Sequence, residues 1–233
     1  MELAKQRVLV TGGSSGIGRA IAAALLRKGS AVSINGRDEA RLRAAADELG
    51  CDGIAGDVGL EADARRIVSS FVERHGGIDV LINNAGFGTF GPLVDTETAA
   101  FEAVLRTNVT GCFLMGREVA RHLVAQRSGA IVNIASTAAL RGFQGGTAYA
   151  ASKFALRGMT ECWREELRRR DVRVMLVNPS EVVTDFASRA GYDQEVTDKK
   201  LRSAEIAHAV VAMLEMNERG FIPELSVFAT NPF

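Results

Sequence analysis

Long apolar runs are missing from this 233-residue chain. No stretch approaches the ~18 apolar residues that a membrane-spanning helix needs. The first residues, Met1-Glu2-Leu3-Ala4-Lys5-Gln6-Arg7, carry no apolar core of the kind found in secretory signals. An excess of charge is missing too: 28 basic and 28 acidic residues cancel. That excludes a chain-wide basic field for nucleic acid or an anionic membrane. Cysteine is scarce, and Cys51, Cys112 and Cys162 are odd in number and far apart. Neither a disulfide framework nor a zinc cluster with CxxC spacing is expected. His75, His122 and His208 are equally scattered, so no metal site is expected, and reduced thiols fit a cytoplasmic protein. With only four prolines and 6% aromatic residues, the 24 glycines stand out as markers of turns and close backbone approach.

What is present is alternation. Apolar, β-branched runs at residues 7–11, 31–35, 53–57, 78–83, 130–135, 172–178 and 225–229 predict strands. Segments of helical period lie between them, at 16–28, 39–49, 61–75, 98–126, 147–170 and 204–216. Asp38 stands where the second helix needs an N-cap. Gly111 and Gly116 leave the continuity of 98–126 open. Strands alternating with helices of this length mean βαβ crossovers. The expectation is a single doubly wound, Rossmann-type α/β domain over 1–233, with a mostly parallel seven-stranded sheet and helices on both faces.

Thr11-Gly12-Gly13-Ser14-Ser15-Gly16-Ile17-Gly18 falls where the first strand passes into the first helix. Positions without side chains let the backbone approach a pyrophosphate, whose charge meets the free N–H groups of a helix start. An ordinary tight turn has the same composition, but the place after the first strand favours a dinucleotide. At the end of the second strand, Asn35-Gly36-Arg37 offers no carboxylate for a ribose 2′-hydroxyl until Asp38. Arg37 suits a 2′-phosphate instead, which favours NADP(H) over NAD(H), although a solvated arginine with Asp38 beside it remains the alternative.

The chain has two tyrosines and five lysines, and Tyr149 and Lys153 are four residues apart on one predicted helix. Both side chains then share a face. A phenol is a poor base at neutral pH, and a nearby ammonium would lower its pKa. Ser136 follows the fifth strand, on the sheet edge where open α/β folds bind ligands. Its hydroxyl would hold a substrate oxygen while Tyr149 transfers the proton; a turn or helix cap is the plainer reading.

Together these motifs resemble the short-chain dehydrogenase/reductase family over nearly the whole chain. The TGxxxGxG turn matches Thr11 to Gly18, the NNAG motif Asn83-Asn84-Ala85-Gly86, a mid-helix asparagine Asn108, and YxxxK the pair Tyr149 and Lys153. The resemblance implies reversible, NADP(H)-dependent reduction of a carbonyl to an alcohol. Tyr149 would be the proton donor or acceptor, and Lys153 would bond the nicotinamide ribose. Ser136 would orient the carbonyl, and Asn108 would hold a water linking Lys153 to solvent. Gly12, Ser14, Ser15, Gly16, Ile17 and Gly18 would form the cofactor's turn, with Gly18 letting the helix lie close to the strand. Asp57 and Val58 would contact the adenine, with Asn84, Ala85 and Gly86 on the adenosine side. Pro179, Val182 and Thr184 match positions near the nicotinamide amide and phosphates.

Two departures stand out. Ser180 and Glu181 follow Pro179 where the family usually has a glycine. Glu181 reads either as a solvent-facing loop charge or as a group that repels acidic substrates or binds an amine or hydroxyl. Residues 185–202 form a short, polar substrate lid, which predicts an exposed and permissive pocket. Glu165/Arg169 and Glu166/Arg170 are expected as i,i+4 pairs. Phe101, Val104, Leu105, Val109, Cys112 and Phe113, with Phe154, Leu156, Met159 and Trp163, exceed one sheet-facing stripe. They serve either core packing or an interface, and the resemblance implies a homodimer or homotetramer. Two alternatives stay open. One is a 3-oxoacyl-(acyl carrier protein or CoA) reductase, whose phosphopantetheine-linked substrate would prefer basic residues at the mouth; Arg141 and Arg189 are candidates, and Glu181 opposes them. The other is a non-catalytic NADP(H)-sensing regulator, which would have no use for a proton donor.

Overall fold

The alternating runs become alternating elements in the computed structural model, which describes residues 1–231. In chain order these are β1 (Arg7–Thr11), α1 (Gly16–Arg27), β2 (Ala31–Gly36), α2 (Glu39–Leu49), β3 (Asp52–Ala55), α3 (Glu61–His75) and β4 (Val80–Asn83). Then follow α4 (Thr98–Leu105), α5 (Cys112–Gln126), β5 (Gly129–Ile134), α6 (Thr147–Leu167) and β6 (Val172–Pro179). The last are β7 (Val182–Val183), α7 (Phe186–Arg189), β8 (Leu201–Arg202), α8 (Ser203–Glu215) and β9 (Glu224–Val227).

Seven strands make one parallel sheet in the order β3-β2-β1-β4-β5-β6-β9. The chain builds outward from β1 through β2 to β3, then returns to place β4 on the other side of β1. That reversal opens a crevice beyond the carboxyl ends of β1 and β4, where open α/β sheets take their ligands. Strand alternation sends β1 side chains to both faces. Val8 and Val10 pack with Ile21 and Leu25 of α1 and Ile206 of α8, whereas Leu9 packs with Ile67 and Phe71 of α3. Every residue of β6 is buried, as expected for a strand covered on both faces.

Local chemistry sets the ends of these elements. The Asp38 carboxylate accepts from the Arg41 backbone N–H at 3.0 Å and caps α2. The expected helix over 98–126 is continuous, but a π-helical turn at Arg106–Gly111 joins α4 to α5. Gly116 does not break it: a Cβ there would come within 2.6 Å of the Trp163 ring, so glycine lets α5 and α6 approach. At the end of α6 the expected i,i+4 pairs do not form among the described residues. The last turn tightens into a 3₁₀ turn, Arg168–Arg170, and Glu165 pairs with Arg168 at 3.3 Å instead. In a 3₁₀ turn side chains three apart eclipse, which explains the shifted partner.

The expected third strand, 53–57, ends at Ala55, which leaves Asp57 in the following turn. The apolar surplus on α4, α5 and α6 divides. Val104, Cys112 and Leu156 are buried, and Val109, Met159 and Trp163 pack around the latter two. Phe113 and Phe154 remain exposed at 41% and 45%. Among the described residues no helix is long and apolar enough to cross a membrane.

Candidate active site

A cleft of about 890 Å³ lies at the crevice, bounded by the glycine turn on one side and by the ends of β5 and β6 on the other. The glycine turn is bolted to the NNAG corner. Thr11 Oγ1 accepts from the backbone N–H groups of Asn84 and Ala85 at 3.0 and 3.1 Å. The Asn84 side-chain amide donates to the Thr11 and Gly12 carbonyls at 3.0 and 3.1 Å. Glycine is required where the two segments touch. Gly12 has φ +63°, and a Cβ on Gly18 would fall 2.4 Å from the Asn84 side-chain nitrogen. Gly18 therefore supports the turn from behind rather than lining the cleft.

Gly12, Ser14, Ser15, Gly16 and Ile17 face the cleft. Ser15 precedes α1 without a side-chain cap, and no acidic residue occupies the first turn. The free N–H groups and positive dipole end of α1 thus open onto the cleft, which suits a phosphate. Arg37 faces the cleft at the end of β2, and Arg41 stands beside it. Asp38 lines the cleft as well, but it caps α2 and pairs with the Arg41 guanidinium at 3.2 Å, so it offsets Arg41 rather than Arg37. Sequence reasoning missed Arg41, although its place three residues after an N-cap Asp was visible. Val58, Ala85 and Gly86 line the cleft, but Asp57 does not. Its carboxylate accepts from the Gly59 N–H at 2.9 Å and lies 3.8 Å from Arg37. A dinucleotide with an extra phosphate fits this donor set: an uncapped helix start at the centre and two guanidinium groups at one end.

Ser136, Tyr149 and Lys153 meet at the other end of the cleft. Ser136 acts as the cap that was its plainer reading, its hydroxyl accepting from the Ala138 N–H at 3.1 Å, and it stands close enough to the Tyr149 phenol to lower that group's pKa. The i,i+4 spacing brings the Lys153 Nζ to 5.5 Å from the Tyr149 ring centre. Lys153 is buried and donates to the Ile134 carbonyl at 3.0 Å.

The electrostatics depart from expectation. Burial pushes the phenol up to about 12, outweighing the lowering by Ser136, and Tyr192 adds a further rise. Burial also pulls the Lys153 ammonium down to about 8, with Cys112 opposing. Desolvation thus wins over the charge attraction that was expected to make Tyr149 acidic. A phenol that stays protonated through neutral pH is arranged as an acid.

Asn108 lies on the π-helical turn, behind the cleft wall, and three hydrogen bonds fix it. Its carbonyl oxygen accepts from the Phe87 N–H at 3.0 Å, and its amide donates to the Phe87 carbonyl and to Ser152 Oγ, both at 2.9 Å. Ser152 in turn donates to the Tyr149 carbonyl at 2.7 Å. Asn108 therefore ties the loop after β4 to the helix that carries Tyr149. No sequence signal marked Ser152 for this part.

Pro179, Val182 and Thr184 line the cleft opposite the glycine turn. The Ser180 N–H donates to the Val227 carbonyl at 2.9 Å, so serine is held there by the sheet. Glu181 keeps the expected place of a solvent-facing loop charge, its side chain 47% exposed, and adds a structural tie. Its carboxylate accepts from Lys200 at 3.1 Å and Gln194 at 3.0 Å, and β7 pairs with β8 next to it. It fastens both ends of the lid. That lid is also less open than its polarity suggested: Phe186 and Tyr192 bring rings down beside Phe90, and Phe186 packs on Tyr149 at 5.4 Å. Among the described residues no cluster of His, Cys, Asp or Glu is placed to hold a metal.

Sheet order and cleft define a doubly wound α/β protein with a crevice at its switch point, the form in which dinucleotides bind. The family model for short chain dehydrogenases matches residues 6–195, and the chain belongs to that family of oxidoreductases. It is 35% identical over 214 residues to a human 3-oxoacyl-[acyl-carrier-protein] reductase, covering 88% of this chain and 90% of that protein. It is 32% identical to a sepiapterin reductase from Chlorobaculum tepidum, covering 97% of each. An alcohol dehydrogenase from the archaeon Thermococcus sibiricus, solved with 5-hydroxy-NADP, superposes with a TM-score of 0.87 at 28% identity, covering 96% of each chain.

Proposed function

We propose that this protein reduces a ketone or aldehyde to an alcohol with NADPH. The meeting of Ser136, Tyr149 and buried Lys153 at one end of a cleft whose other end suits a phosphorylated dinucleotide carries this reading. The 5-hydroxy-NADP bound by the related alcohol dehydrogenase supports the choice of cofactor, as do Arg37 and Arg41 at the far end of the cleft.

The cofactor, when bound, supplies the hydride; the chain's own residues do the rest. The Ser136 hydroxyl orients the carbonyl oxygen next to the phenol. Tyr149, protonated at neutral pH, gives its proton to that oxygen as the alcohol forms. In the reverse direction the same group, once ionised, takes the proton of the alcohol. Lys153 holds a positive charge below about pH 8, four residues from the phenol on the same helix face. Asn108 and Ser152 keep that helix and the loop after β4 in register.

The 3-oxoacyl reductase reading is favoured by the human relative and by Arg141 at the cleft mouth. Arg189 supports it less, because it is shared between Asp185 and Ser15, each at 3.3 Å. A non-catalytic NADP(H) sensor would leave the Ser136–Tyr149–Lys153 grouping without a purpose. The exposed Phe113 and Phe154 favour a homodimer or homotetramer, and a cytoplasmic setting agrees with three free cysteines.

The test is NADPH oxidation against a panel of ketones, aldehydes and an acetoacetyl thioester. Turnover of any simple ketone supports carbonyl reduction. Turnover confined to the thioester selects the 3-oxoacyl reading, and NADPH binding without turnover of any carbonyl favours the sensor.

A further inference from the structure

Aromatic residues are few in this chain, fourteen in all, yet six of them line the one cleft: Phe87, Phe90, Phe143, Tyr149, Phe186 and Tyr192. Phe90 is the hub. Its ring centre lies 5.4 Å from Tyr192, 5.6 Å from Tyr149, 5.8 Å from Phe143 and 6.3 Å from Phe186. Three of these contacts are edge-to-face, the arrangement that ring quadrupoles favour. Gly88 lies against three of the rings: a Cβ there would fall 2.9 Å from Phe90, 3.0 Å from Phe186 and 3.1 Å from Tyr149. The wall is drawn from the loop after β4, the loop before α6 and the lid. Its outer members, Phe143 and Tyr192, still expose 50% and 39% of their surface.

Two of the charged groups around this wall are already engaged, and a third, Arg141, stays exposed at the cleft mouth. Glu181 is held by Lys200 and Gln194, and Arg189 by Asp185 and Ser15. The surface next to the Tyr149 phenol is therefore mainly apolar and ringed, with Glu181 and Arg189 held by their own partners and Arg141 left at the mouth.

We propose that the pocket beyond Ser136 and Tyr149 selects an uncharged ketone bearing a planar aromatic ring next to its carbonyl. This rests on the carbonyl-reductase reading. A flat ring entering the wall replaces one ring–ring contact by another of the same kind. A saturated ring of equal carbon count is thicker, offers no π-face, and must spread the wall to enter. Two aromatic contacts of ordinary strength amount to roughly a tenfold preference.

Acetophenone and cyclohexyl methyl ketone share one carbon skeleton; the aryl ring also conjugates with the carbonyl and lowers its reactivity toward hydride, which works against the expected preference. With NADPH and the wild-type protein, kcat/KM is expected to be about tenfold or more higher for acetophenone. In Phe90→Leu, which keeps an apolar side chain and removes the hub ring, the ratio is expected to fall toward one. Tyr192→Leu, on the exposed lid, is a second variant expected to lower the ratio if Phe90→Leu fails to fold. A ratio near one in the wild type that Phe90→Leu leaves unchanged, with both ketones turned over, overturns the aromatic selection and leaves carbonyl reduction standing.

If neither ketone is turned over, the carbonyl-reductase reading fails separately. Ligand-observed NMR with the NADPH-loaded Tyr149→Phe protein then decides the pocket's selectivity. Acetophenone bound in preference to the cyclohexyl ketone supports it, and equal or absent binding of both contradicts it.

Discussion

The two ends of the cleft are built on opposite plans. At the glycine-turn end, neutral groups satisfy one another: Thr11, Asn84 and the main chain share four hydrogen bonds of 3.0–3.1 Å, and the open donors belong to a helix start. At the Tyr149 end, an ammonium is buried with its pKa pulled down to about 8 and a phenol with its pKa pushed up to about 12. One end binds through satisfied backbone geometry. The other keeps groups whose ionised forms the fold disfavours, a common mark of sites that move protons. Stability and chemistry therefore pull in different directions along a single cleft.

That contrast breaks most visibly at Lys153. Replacing it with Met is expected to lower reduction by about 10²–10⁴-fold, the usual scale for losing part of an acid–base device. The same change is expected to raise the melting temperature. The sign follows from the pKa order. Native Lys153 loses its proton near pH 8, while the unfolded chain keeps it up to about 10.4. Between those values the unfolded state binds more protons, so stability rises with pH, and below about 8 the penalty is present in full. Thermal melts of Lys153→Met and wild type at pH 7 and pH 10 should differ most at pH 7, with the variant higher. A lower melting temperature for the variant at pH 7 would remove the contrast.

At the opposite end, Arg37→Ala is expected to weaken NADPH by about tenfold or more, the scale of a charged hydrogen bond, and to leave NADH nearly unchanged. Calorimetric titration with both nucleotides measures it, and Arg41→Ala should show the same pattern more weakly. Equal losses for NADPH and NADH would mean that the arginine does not read a 2′-phosphate. The smallest effect belongs to the lid. Glu181→Ala removes a partly exposed pair with Lys200 and is expected to cost about 1 kcal/mol or less in denaturant unfolding. Its clearer signature is proteolysis within residues 190–200, which should become faster.

Legibility in the sequence followed the range of the signals. The α2 boundaries and the Asp38 cap were readable because the cap and the backbone N–H it bonds are three residues apart. Tyr149 and Lys153 were readable because four residues is one helical turn. Alternation along the chain was enough for a parallel sheet, while its strand order and switch point come from the fold. The aromatic wall was not readable, since Phe90, Phe143, Phe186 and Tyr192 come from distant segments with no shared period. Glu181 and Lys200 are likewise joined only by the lid's path. The π-helical turn at Arg106–Gly111 leaves no mark in a run that reads as ordinary helix. The phenol's pKa was misjudged because burial depends on those same distant rings, whereas the lysine beside it was visible from spacing alone.

The most direct test of the division between the two ends is the Tyr149→Phe protein, which loses one hydroxyl and no ring. NADPH fluorescence titration and carbonyl-dependent NADPH oxidation would be measured on the same samples as the wild type. The account predicts an NADPH affinity within about twofold of wild type and turnover lower by about 10²–10⁴-fold. Turnover equal to the wild type would contradict it, because the proton would then come from somewhere other than Tyr149.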